Sequence, residues 1–281
     1  MDLIFSDIHA DIKALNSILE IVRTSQFEAE YGEISRIINL GDLLERGTEP
    51  GEVLEKMKML SKNYQLDSVM GNHDEAVLYD RNLAGSSLES VKAHKNLTEK
   101  NFEFFRRNQD DTYGQQEFVD KNKGLICVHG GPLDPKKITP KEIGNDVWLY
   151  QKTWQRLTED KETFSYYGYQ YSSSSAFSES KQHIQNPIIL CGHQHVEAAI
   201  SQNNEGEIQN VLSNIKPKTD KIGNYTLDKK EIVIEPENSY LIRLGIGGPQ
   251  GHYGHGNEKP HFGIIQHDLK KIILFGMKRY S

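Results

Sequence analysis

Five short apolar runs in this chain each end in the same kind of polar tail, and nothing else in it restricts the fold as much. Leu3-Ile4-Phe5 runs into Ser6-Asp7-Ile8-His9, Ile37-Ile38-Asn39-Leu40 into Gly41-Asp42, and Ser68-Val69-Met70 into Gly71-Asn72-His73-Asp74. Leu125-Ile126-Cys127-Val128 runs into His129-Gly130-Gly131, and Ile188-Ile189-Leu190-Cys191 into Gly192-His193-Gln194-His195. Short apolar runs bounded by glycine or polar turns read as buried strands. Ligands of open α/β sheets collect at the carboxyl ends of strands. If the runs are neighbouring strands, their tails meet on one edge and build a site.

The rest of the chain organises around these runs. Ile12, Leu15, Ile18, Leu19 and Val22 recur at helical spacing and predict an amphipathic helix over 11–24. Leu54, Met57 and Leu60 predict a second helix after Pro50, an acceptable first-turn proline. The stretch 73–107 reads as mostly helical but strongly polar. Glu117-Phe118-Val119 and the 124–129 run, split by Lys121-Asn122-Lys123-Gly124, predict a hairpin. Val147, Tyr150, Trp154 and Leu157 are spaced as the stripe of a core-packed helix. The Tyr-rich and Ser-rich stretch within 160–186 reads as a mobile surface loop in preference to a lid over a substrate. Ala198-Ala199-Ile200, Ile232-Val233-Ile234, Tyr240–Leu244, Phe262–Ile265 and Ile272–Phe275 predict a β-rich C-terminal half forming a second sheet. One α/β domain over 1–281, built on two packed sheets, is the simplest account.

Composition excludes several partners. The 281 residues are 36% hydrophobic and 26% charged, enough for a sizeable core. With 33 Lys and Arg against 40 Asp and Glu, the net charge of -7 argues against a broad nucleic-acid or anionic-membrane surface. The start lacks a basic region followed by a long apolar one, no run reaches the length of a membrane span, and a cytoplasmic location is expected. Cys127 and Cys191 sit inside apolar runs and read as core thiols.

The tails supply oxygen and imidazole ligands without thiolate. Asp7 and His9 share a face of extended chain, as do His193 and His195. With Asp42, Asn72 and His129 they make seven candidate ligands, more than one ion needs. If Asp42 is shared, two ions each receive about four, leaving positions for water and substrate. Such ligands suit Mn, Fe, Zn, Co or Ni and not a structural zinc site. A pair of ions about 4 Å apart can hold a hydroxide, formed near neutral pH, as a nucleophile toward phosphorus. Each residue alone has a plainer reading, Asp7 as a helix cap or His9 and His129 as core histidines; seven such coincidences on five strand ends do not.

In their order, Asp-x-His, Gly-Asp, Gly-Asn-His-Asp, His-Gly-Gly and Gly-His-x-His resemble the calcineurin-like metallophosphoesterases over about residues 1–200. The resemblance implies a four-layer α/β/β/α sandwich with two central mixed β-sheets. It implies one divalent transition-metal ion on Asp7, His9, Asp42 and His195, and a second on Asp42, Asn72, His129 and His193. Mn is the preferred metal, with Fe, Zn, Ni and Co as alternatives. His73 matches the family histidine beside the leaving group, a general acid or electrostatic stabiliser. Glu45 and Arg46, in Gly41-Asp42-Leu43-Leu44-Glu45-Arg46-Gly47, resemble a segment of the serine/threonine phosphoprotein phosphatase branch. There an Asp orients the histidine and the Arg grips phosphate. Here the acid is Glu, one methylene longer. Asp74 either orients His73 or caps the following helix, and the cap is preferred.

The chain also departs from that branch. Ser6-Asp7-Ile8-His9-Ala10 replaces a Gly-Asp-x-His-Gly pattern, and the paired His193 and His195 are a trait of bacterial phosphodiesterase-like members. The glycine-rich 245–256 segment reads as a flexible hairpin connection with solvated histidines. Metal binding by His252, His255 and His261 is the alternative. Arg46 and His129-Gly130-Gly131 favour phosphomonoester substrates, small molecules or phosphoproteins. Phosphodiesters and dinucleoside polyphosphates are alternatives, and a non-catalytic protein-binding scaffold ranks behind them because no ligand is missing. The acidic balance weighs against a nuclease.

Overall fold

A computed structural model describes residues 1–81, 86–105, 114–159, 167–249 and 259–278. Its strands are β1 (Asp2–Phe5), β2 (Arg36–Asn39), β3 (Gln65–Ser68), β4 (Glu117–Asp120), β5 (Leu125–Val128), β6 (Arg156–Leu157), β7 (Gln170–Tyr171) and β8 (Ile188–Cys191). They continue as β9 (Ala198–Gln202), β10 (Ile208–Asn210), β11 (Lys218–Ile222), β12 (Tyr225–Val233), β13 (Ser239–Arg243), β14 (His261–Gln266) and β15 (Lys271–Lys278). The helices are α1 (Ile12–Val22), α2 (Ser25–Tyr31), α3 (Pro50–Asn63), α4 (Asn72–Leu78), α5 (Leu88–Lys95), α6 (Glu99–Phe102), α7 (Pro135–Ile138) and α8 (Ser173–Ser180).

One sheet runs β11-β12-β15-β14-β1-β2-β3 and the other β10-β9-β13-β8-β5-β4. Within them β1, β2 and β3 are mutually parallel, as are β5, β8 and β13. Side chains alternate between the faces of a strand, and that period makes four layers here. Ile4, Ile38, Leu125, Cys127 and Leu190 point between the sheets. Leu3, Phe5 and Ile37 point outward under Leu15, Ile18, Leu54 and Met57 of α1 and α3. Ile126, Val128 and Ile189 point the other way, under Ala176 and Phe177 of α8. The chain is an α/β/β/α sandwich.

Local signals set the helix starts. The Asp11 carboxylate accepts the Ala14 N–H at 2.9 Å and caps α1. Pro50 occupies the first turn of α3. The predicted hairpin forms as antiparallel β4 and β5. Both cysteines are buried free thiols. No helix among the described residues is long and apolar enough to cross a membrane.

Three expectations are corrected. The C-terminal strands do not form a sheet of their own: β11, β12, β14 and β15 extend the sheet of β1, while β9, β10 and β13 join that of β5. The 147–157 stripe is not an α-helix but a 3-10 turn over Gly144–Tyr150 followed by β6. The Lys152 carbonyl accepts the Gly130 and Gly131 N–H groups instead of a helical partner. Gln155 closes a two-way amide contact on the backbone of Leu133. The 160–186 segment is no continuous loop, since it contains β7 and α8, the latter capped by the Ser172 hydroxyl on the Ser175 N–H. Its residues 160–166 lie outside the described residues.

Candidate metal centre

The five tails do meet. Asp7, His9, Asp42 and Asn72 leave the carboxyl ends of β1, β2 and β3 in one sheet, while His129, His193 and His195 leave β5 and β8 in the other. The connections are too tight for ordinary backbone. Asp7, His9, Asp42, His193 and His195 all hold positive φ, between 47° and 70°. A Cβ on Gly71 would lie 1.9 Å from Asp42 Oδ1, and one on Gly192 1.8 Å from Ser6 Oγ. Only glycine allows these loops to touch.

The candidate ligand atoms form two groups about Asp42 Oδ2, and His73 comes within reach of His9 and Asp42 as well. In the first, His195 Nε2 lies 3.3 Å from Asp7 Oδ1 and 3.1 Å from His9 Nε2, and His9 Nε2 is 3.9 Å from Asp42 Oδ2. In the second, His129 Nε2 lies 3.1 Å from both Asp42 Oδ2 and Asn72 Oδ1, with His193 alongside. The far sides of these groups are fixed. His9 and His129 donate from Nδ1 to the Leu44 and Leu40 carbonyls, at 3.2 and 2.7 Å, which turns Nε2 inward. Asp42 Oδ1 accepts the His73 N–H at 2.8 Å, and Asp7 Oδ2 the His193 N–H at 3.1 Å.

That leaves Asp7 Oδ1, Asp42 Oδ2 and His193 Nε2 buried without a hydrogen-bond partner. Burying such groups bare is costly. Two carboxylate oxygens and an imidazole nitrogen aimed at one space fit divalent cations, and so do the three further rings and the amide around them. Of the two Asp42 oxygens, Oδ1 already accepts an N–H and Oδ2 faces both groups.

The electrostatics agree. Burial would raise the Asp42 carboxyl, but the charges of His129 and His73 hold it well below the usual carboxylate range. Burial likewise would raise Asp7, and the neighbouring His195 ring keeps it low. Burial holds the His9 and His193 imidazoles well below their ordinary value, which keeps both rings neutral. His129 moves the other way, to about 9: burial opposes its charge, but Asp42 outweighs burial.

Beside the ligands sits a second cluster. Glu45 Oε2 meets His73 Nδ1, and Arg46 Nη2 lies 3.2 Å from His73 Nε2. The longer glutamate reaches the ring. Burial would raise Glu45, and the His73 hydrogen bond holds it down. Asp74 makes no such contact with His73. Its carboxylate accepts the N–H groups of Gly71, Asp42, Leu43 and Leu44, each at 2.9 Å. It thus caps α4 and also clamps the β2 exit loop. Burial and the charge of Asp42 raise its carboxyl to about 7.

Two neighbours had no sequence signal. Arg156 follows no motif, yet its charge is, after burial, the largest influence on His193, and burial next to this centre lowers its own guanidinium to about 10. His94, a lone histidine in a polar helix, accepts the Glu45 N–H at 2.7 Å. Of the 245–256 segment, residues 245–249 are described, and they pack against the β1 exit loop. Gly247 and Gly248 donate to the Ser6 and Asp7 carbonyls at 2.9 Å, and a Cβ on Gly248 would lie 1.7 Å from Ile8 O. His261 pairs with Glu197 at 2.8 Å, apart from the ligand groups; His252 and His255 lie outside the described residues.

Residues 3–197 match the model of the calcineurin-like phosphoesterase family. The chain belongs to that family. An uncharacterised protein of Methanocaldococcus jannaschii, MJ0912, is 34% identical over 252 residues, covering 88% of this chain and 76% of that one. A metallophosphoesterase from Sphaerobacter thermophilus superposes with a TM-score of 0.58 at 19% identity, over 100% of this chain and 89% of that one. A serine/threonine phosphatase from Saccharomyces cerevisiae, with similarity to human phosphatase PP5, gives 0.52 at 14% identity, over 100% and 81%. At such identities the two superpositions speak for the fold. As a calcineurin-like phosphoesterase, the chain is a hydrolase of phosphorylated substrates with a cluster suited to divalent metal.

Proposed function

We propose that this phosphoesterase is a dinuclear metal-dependent phosphatase acting on phosphomonoesters, phosphoproteins among them. Asp7, His9, Asp42 and His195 hold one divalent transition-metal ion, and Asp42, Asn72, His129 and His193 the other, with Mn preferred. The observation behind this reading is the convergence of unpartnered Asp7 Oδ1, Asp42 Oδ2 and His193 Nε2 next to the Arg46–His73–Glu45 cluster. Two ions so placed supply Lewis acidity and a water acidified to near neutral pH.

The chain's own residues do the rest. Arg46 presents a planar, always-charged fork to two phosphoryl oxygens. Arg156 adds positive charge on the His193 side. His73 Nε2 faces the departing oxygen and protonates it, while Glu45 on Nδ1 sets the ring orientation. In this structure Arg46 rests on that Nε2 at 3.2 Å, so substrate phosphate has to draw the guanidinium off.

The paired His193 and His195 favour a phosphodiester as the second reading. Arg46→Ala separates the two. A monoester dianion offers the fork two terminal oxygens and one more charge. Losing a charged hydrogen-bond donor should therefore raise KM for an aryl monoester about 10- to 100-fold, and far less for an aryl diester. Equal losses on both substrates would reject the clamp.

A further inference from the structure

We infer that His94 is a positioning residue for phosphate hydrolysis: it fixes the Glu45–Arg46 turn by accepting the Glu45 backbone N–H. This rests on the phosphatase reading above, in which Arg46 meets the substrate and Glu45 sets His73.

The β2 exit loop has four consecutive N–H groups facing inward, and each finds a partner from elsewhere. Asp74 takes those of Asp42, Leu43 and Leu44. The fourth, on Glu45, goes to His94 Nε2 at 2.7 Å. The turn itself is intrinsically disfavoured. Glu45 and Arg46 are consecutive non-glycine residues at φ 68° and 65°, a left-handed conformation that needs outside support. Gly47 follows with its N–H on the His9 carbonyl at 3.0 Å, and a Cβ there would lie 2.3 Å from the same oxygen. The turn is therefore pinned at both ends, by His94 before the two strained residues and by the His9 loop after them.

His94 is set up as an acceptor. Its Nδ1 donates to the Ser90 carbonyl, one helical turn back in α5, at 2.8 Å. That leaves Nε2 bare, and burial holds the ring below its ordinary basicity, keeping it neutral. Both ring nitrogens are thus committed, one to the helix and one to the turn. The imidazole links α5 rigidly to the residues that would handle phosphate, and it is a member of neither ligand group. A side chain there without an acceptor leaves the Glu45 N–H unmatched, and Glu45 and Arg46 lose their common aim.

The test is a double-mutant cycle between His94 and Arg46, read on Mn-loaded protein with an aryl phosphate monoester. His94→Leu should lower kcat/KM about tenfold with metal content and thermal midpoint little changed. His94→Gln, whose carbonyl can accept the same N–H, should recover most of that loss. On an Arg46→Ala background, His94→Leu should cost clearly less than on the wild type, because only the aim of Glu45 is then left to lose. The same cycle read on the Kd for orthophosphate requires no turnover. Wild-type protein that binds orthophosphate but hydrolyses nothing would remove the phosphatase reading while leaving this cycle to decide. Additive losses in either cycle, or a His94→Gln variant as impaired as His94→Leu, would remove the role of His94. So would wild-type protein that shows neither turnover nor orthophosphate binding.

Discussion

The residues that gather at this centre stand in backbone conformations that other residues avoid. Asp7, His9, Ala10, Asp42, Glu45, Arg46, His193 and His195 all have positive φ. Each such position costs on the order of 1 kcal/mol and persists only where its surroundings over-determine it. Here the surroundings are glycines that let loops touch and side chains that collect loop amides. Gly71 is the tightest test. Because a Cβ would meet Asp42 Oδ1 at 1.9 Å, Gly71→Ala should lower stability by about 1–3 kcal/mol in urea titration and weaken Mn uptake. An unchanged midpoint with unchanged uptake would mean that the Asp42 loop tolerates displacement. At this scale the candidate ligands stood out because they all follow apolar runs. Asp74, His94 and Arg156 did not. Asp74 reads locally as a cap, which it is, but three of its four partners lie some thirty residues back. Arg156 and His94 act across the fold and leave no local pattern.

Among the elements, continuous apolar runs bounded by turn residues made β1, β2, β5 and β8 readable, and apolar spacing at helical period did the same for α1 and α3. Where backbone partners come from distant segments the signal fails. Residues 147–157 have helical spacing, yet the Lys152 carbonyl is taken by Gly130 and Gly131 and the Leu149 carbonyl by Tyr169. The end of the sandwich opposite the centre is held by charge. Arg36 of β2, 4% exposed, donates from Nε to Asp2 of β1 at 2.9 Å and from Nη1 to Asp120 of β4 at 2.7 Å, tying one sheet to the other. Arg36→Met should cost about 3–5 kcal/mol, since it leaves carboxylates facing each other in a buried site. The pH dependence has a definite sign. Burial would raise Asp2 and Asp120, but the hydrogen bonds of Asp2 to His267 and Arg36, and of Asp120 to Arg36, hold both below their ordinary value. Their contribution is present above the unfolded value, about 4, and is lost as pH falls through the lower folded values. Asp67, raised by burial, titrates in the opposite sense. The urea midpoint of the wild type should therefore fall more steeply below about pH 4 than that of Asp120→Asn. Parallel acid limbs would contradict the ion-pair account.

For the whole molecule, the decisive feature is that neither of the two proposed ions would draw its four ligands from one sheet. Asp7, His9, Asp42 and Asn72 come from one, and His129, His193 and His195 from the other. The centre exists only when Ile4, Ile38, Leu125, Cys127 and Leu190 close the gap between them. Ions held across that gap would bind the folded state alone and stabilise it. The two-sheet architecture was legible from the count of runs, but the division of the C-terminal strands was not. β14 pairs with β1 and β13 with β8 through contacts far apart in sequence, which no local pattern encodes. The central claim is that two ions would share Asp42 and together support hydrolysis. Metal per chain, measured alongside aryl phosphate turnover in wild type and Asp42→Asn after Mn loading, tests it most directly. The account predicts two ions in the wild type, fewer in the variant, and a loss of activity of at least ~100-fold. Two ions retained in Asp42→Asn with full turnover would contradict it.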